Sequence, residues 1–107
     1  MLRKHELTEA PLRSVRTILS AEKEFFDRIW YDRKLVLIAN IKDGLERPST
    51  PEIERTMRAA MKRVEKEYGG KKALRDYYKN DFEWGMLNGK LSALRWVLGD
   101  DWDMLDT

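Results

Sequence analysis

The chain has 107 residues, 42% of them hydrophobic and 37% charged, with a formal net charge of +2. That is one domain of ordinary size, 1–107, with enough apolar material for a core. Zero cysteines exclude disulfides, thiolate catalysis and cysteine-ligated metals, and fit a cytoplasmic setting.

Four Trp, four Tyr and three Phe give the chain much to bury and argue against disorder. The charge is uneven. Residues 1–80 carry 19 basic and 13 acidic groups, and residues 81–107 carry 2 and 6. The two parts can attract each other or, in a dimer, cross over. The longest apolar run, Leu35 to Ala39, is far short of the roughly 20 residues that span a bilayer, so no membrane segment is expected. The N-terminal residues lack the apolar run of a secretion signal.

Residues 1–10 read as a frayed lead-in. Thr8 and Pro11 suggest the start of a first helix over about 11–43. Val15, Ile18, Leu19, Phe25, Phe26, Ile29, Trp30, Val36, Leu37 and Ile41 share one wide face at helical spacing. Gly44 caps its end. Tyr31, Leu35 and Ile38 form a second apolar strip on its back, to be covered by another helix of the chain or by a partner. Unbroken, such a helix is about 45–50 Å long, against a diameter of about 26 Å for a compact chain of this size. Either it breaks near Ser20, or the molecule is elongated or intertwined.

Glu22, Arg33 and Asn40 fall inside the apolar face of this helix. Buried polar groups need mates. Glu22 and Arg33 stand about 16 Å apart along one helix, so the mates must come from elsewhere, with Asn88 and Arg95 as candidates. A cleft formed by Glu22, Arg33, Asn40 and Asn88 is the weaker alternative.

Thr50, Pro51 and Glu52 combine a cap, a first-turn proline and an early acid, and open a second helix over 51–68. Its apolar stripe is Ile53, Met57, Ala60, Met61, Val64 and Tyr68. Arg55, Arg58, Lys62 and Lys66 form a basic ridge on the other side, extended by Lys71 and Lys72. The ridge could meet nucleic-acid phosphates, but acids interrupt it and no aromatics interleave.

The third helix reads as 71–98, continuous or kinked near Asn80, where Lys-Asn-Asp could instead cap a separate helix. Trp84, Leu87, Leu91, Leu94 and Leu98 make one apolar face. Gly85, Gly89 and Ala93, four apart, line the other, with Phe82 and Trp96 beside them. A helix so nearly apolar all round is expected to be central and packed on both sides. Two glycines in a helix interior cost roughly 1 kcal/mol each relative to alanine, so a close crossing is expected there. It would involve another helix of this chain, a helix of a second chain, or a ligand on the bare backbone.

Gly99 closes the helix. The tail 100–107 alternates acids with Trp102 and Leu105, which read as a short hook docking on a basic surface. Its aspartates lack the spacing of a calcium loop.

Nothing here carries catalysis. The one histidine, His5, falls in the lead-in, and there is no nucleophile elbow, phosphate loop or Glu-x-x-His pair. No cofactor, metal or small-molecule substrate is expected. The expectation is an all-α bundle of about three helices, with an intertwined dimer as one arrangement, acting by protein contact through Gly85, Gly89, Ala93, Trp96, Tyr31, Leu35, Ile38, Trp102 and Leu105. Nucleic-acid binding by the basic ridge is the alternative.

Overall fold

The computed structural model describes residues 11–102, all of whose regular elements are helices. They are α1 (Val15–Lys42), α2 (Pro51–Glu67), α3 (Lys71–Asp76) and α4 (Asp81–Val97). Local chemistry explains each boundary. Ser14 caps α1 by accepting the Thr17 N–H at 3.1 Å, a later start than Thr8 and Pro11 suggest. Thr50 accepts the Ile53 N–H at 3.2 Å, with Pro51 in the first turn of α2. Gly69 and Gly70 both take positive φ, 92° and 103°, which lets the chain turn back after α2.

Residues 71–98 are two helices, not one. Asn80 is extended and its side chain accepts the Glu83 N–H at 2.9 Å. The Glu83 carboxylate reaches back to the Lys79 N–H at 3.1 Å. These paired bonds start a new helix, and the alternative cap at Lys79-Asn80-Asp81 is the one realised. At the far end, Gly99 turns at φ 112°. The Asp100 N–H bonds to the Arg95 carbonyl and the Gly99 N–H to that of Trp96, each at 3.0 Å, which makes a Schellman stop.

The spine of the molecule is α1, and this corrects the expectation that the last helix is central. Both α2 and α4 make their main packing against α1. Tyr31 of α1 meets Glu65 and Asp27 meets Tyr68, so α2 runs antiparallel to it. Asp32 meets Tyr78 and Glu22 meets Arg95, so α4 is antiparallel as well. One core cluster is Tyr31, Met61, Val64 and Leu74, with Leu35, Ile38 and Met57 packed against it. The other is Ile29, Leu87 and Leu91, with Phe25 and Trp84. A 28-residue helix flanked on two sides needs no break, and α1 has none near Ser20. The molecule is elongated instead, 55 × 30 × 26 Å, with a radius of gyration of 17.1 Å where a compact chain of this length has about 13 Å. Among the described residues no helix is long and apolar enough to cross a membrane.

Candidate protein interface

Packing against α1 uses only one side of α4. Leu87 and Leu91 are buried there, with Trp84, Leu94 and Leu98 beside them. At 100° per residue, Phe82, Gly85, Met86, Gly89, Ala93, Trp96 and Val97 fall on the opposite side, and all seven are exposed. No charged group lies among them. Lys90 stands at the edge, its ammonium 6.0 Å from the centre of the Phe25 ring and so turned toward α1. The result is an uncharged strip about 22 Å long.

A Cβ built on Gly85 or Gly89 meets nothing within 4 Å. Among the described residues, the close crossing expected at these glycines is therefore not made by another helix of this chain. Trp102 folds back so that its ring stacks on Trp96, centroids 5.2 Å apart and planes 11° apart, which extends the aromatic end of the strip. Leu105, the other expected anchor of the tail, lies outside the described residues. Met86 and Val97 belong to the same face but are missing from the sequence-derived set. Their signal is plain in retrospect, because 82, 86, 89, 93 and 97 repeat at three and four.

The strip of Tyr31, Leu35 and Ile38 has a different fate. Tyr31 is buried, and Leu35 and Ile38 pack into the same cluster under Met57 and Met61 of α2. Of the two covers expected for it, the strip has the one inside the chain, and these residues leave the candidate interface.

The basic residues of the second helix are exposed. Arg55, Arg58, Lys62 and Lys66 are exposed on the side of α2 away from its buried Met61 and Val64, and Lys71 and Lys72 are exposed beyond it. Arg58 is held by Glu54 at 3.2 Å and Lys72 by Asp76. Both are exposed i,i+4 pairs that contribute little.

Glu22 is paired with Arg95 of α4 at 3.4 Å, the mate that its place on the apolar face required. Arg33 is exposed. Asn88 donates to the Trp84 carbonyl of its own helix at 2.8 Å. A cavity of about 260 Å³ opens instead between the ends of α1 and α2, lined by Leu37, Ile38, Ile41, Pro48 and Met57. None of Glu22, Arg33, Asn40 or Asn88 reaches it. Among the described residues no group of three His, Cys, Asp or Glu could hold a metal ion.

The tyrosines mark the helix seams. Tyr31 donates to Glu65 at 2.7 Å, Tyr68 to Asp27 at 2.8 Å, and Tyr78 to Asp32. Burial, and then the carboxylate each one meets, raises all three phenols, Tyr68 to about 12. Lys23 bonds both Asp27 and Glu67, at 2.8 and 2.9 Å, and those bonds raise its pKa. These contacts join α1 to its flanks and lie away from the α4 strip.

Comparison with protein-family models, curated proteins and solved structures finds no match. The class that fold and surface define is an elongated all-α bundle with one helix covered on a single side.

Proposed function

We propose that this chain acts by protein contact and not by catalysis, in the cytoplasm, as an adaptor, a regulator or a subunit of a larger assembly. One observation carries the reading. The side of α4 turned away from α1 is apolar or small from Phe82 to Val97 and is exposed throughout. Apolar strips of this extent mark contact sites. Hydroxyl-radical footprinting in cells that make the chain is the test. Met86, Trp96 and Val97 should be shielded, while Leu12 and Ile53, exposed elsewhere, label freely. If the α4 side labels as fast as Ile53, the reading is wrong.

A second reading takes its support from the exposed ridge of Arg55, Arg58, Lys62 and Lys66, which would bind nucleic-acid phosphates. Such binding weakens steeply with salt. Reversing charge at Arg58 and Lys62 should abolish it, and binding that survives the reversal removes this alternative.

A further inference from the structure

Resting on the reading of α4 as a contact surface, we propose that its occupant is α4 of a second copy of this chain, lying antiparallel with Gly89 at the two-fold axis. A two-fold contact puts residue i of one copy opposite residue j of the other, and j opposite i. Such a face must therefore read alike in both directions. This one does. Phe82 and Trp96 stand seven residues either side of Gly89, and Gly85 and Ala93 stand four either side. In the pair, Phe82 meets the partner's Trp96, Gly85 meets the partner's Ala93, and Gly89 meets the partner's Gly89. Small residues in the middle let the backbones approach, and aromatics close both ends. A partner of different sequence would require no such symmetry.

The area is sufficient. Phe82 is 75% exposed, Met86 47%, Trp96 50%, Val97 55% and Trp102 59%. With aromatic side chains of about 150–250 Å², these five offer about 600 Å² per copy. Covered completely, they account for about 1,200 Å² over two copies, the lower bound of a stable interface. The Lys90 ammonium stays out of the contact, because it lies over Phe25 on the α1 side. The partner's Phe82 would also touch Trp102, since Trp102 is stacked on Trp96.

The test is light scattering on a sizing column over a concentration series of the full chain. The expected mass rises to twice 12.7 kDa. Gly89→Leu fills the centre of the crossing, and its Cβ meets nothing within 4 Å in its own chain. It should keep its helix content by circular dichroism while associating about tenfold or more weakly. Lys62→Glu, on the far side of α2, should still dimerise. Register has its own measurement. Phe82→Glu and Trp96→Lys should each be monomeric alone and recover the dimer mass when mixed, because position 82 faces position 96 of the other copy. A wild type that stays at 12.7 kDa throughout overturns the self-pairing, while footprinting in cells separately decides whether α4 is covered at all. A Gly89→Leu chain that still dimerises, or a mixture that stays monomeric, overturns the geometry.

Discussion

Arg28 ties three parts of the fold together through one side chain. Its guanidinium lies 3.8 Å from the centre of the Tyr77 ring and 4.9 Å from that of Tyr68. Its Nε donates to Glu24 at 2.9 Å, and the side chain is mostly buried. One residue of α1 thereby holds the end of α2 and the chain leaving α3. Each stacked cation contributes about 0.5–2 kcal/mol, and the buried stem adds packing. Arg28→Ala should therefore cost about 2–3 kcal/mol in urea unfolding. Arg28→Lys should restore less than half of that, because a point charge cannot lie flat on two rings. Full stability with lysine would mean that stacking is not the cause. The sequence does not announce Arg28, since its ring partners come from other elements and no local spacing links them. Glu22 is the opposite case. Its place on an apolar face demands a mate from another helix, and Arg95 is that mate.

Elements are legible where their signals are local. The Thr50-Pro51-Glu52 start and the Gly69-Gly70 stop fix α2 almost to the residue. The break between α3 and α4 is less visible, because Leu74, Tyr78 and Phe82 keep helical spacing across it. That shared spacing misleads: Leu74 joins the Tyr31 cluster while Phe82 points to solvent. The break depends on Asn80, so Asn80→Ala should cost about 1 kcal/mol and Asn80→Asp almost nothing, as read by urea unfolding. Equal losses in both would show that the cap does not set the boundary. The glycines make a second prediction at this scale. Gly85→Ala, made in the Gly89→Leu background so that the isolated chain is measured, should gain about 1 kcal/mol, because its Cβ enters open space. A loss of stability there would mean that the outer side of α4 is already packed.

For the whole molecule, composition and periodicity reveal an all-helical chain, but not which helix is central. Hydrophobicity ranks α4 first, and packing ranks α1 first. The difference is physical. A helix apolar on two sides can bury both only if the chain supplies two covers, and this chain places α2 and α4 on α1. What holds the two flanks is polar as well as apolar, and that makes the assembly sensitive to alkali. Tyr31 and Tyr68 bridge α1 to α2, and Tyr78 bridges α1 to the start of α4, each by a hydroxyl donated to a carboxylate. Burial and these bonds raise all three phenols above their ordinary value of 10.0, Tyr68 to about 12. A raised folded-state pKa means that the native chain favours the protonated phenol more than the unfolded chain does. The stabilisation is then complete below pH 10 and declines as pH rises through 10 toward 12 and beyond. Stability from urea unfolding should accordingly fall across pH 10–12, and the loss of helical ellipticity should accompany phenolate absorbance near 295 nm. Tyr68→Phe gives up the bond to Asp27, so it should be less stable at pH 7. It should also show a shallower decline above pH 10, since one of the three titrating groups is gone. A wild type equally stable at pH 9 and pH 12 would show that the tyrosine bridges do not hold the flanks to α1.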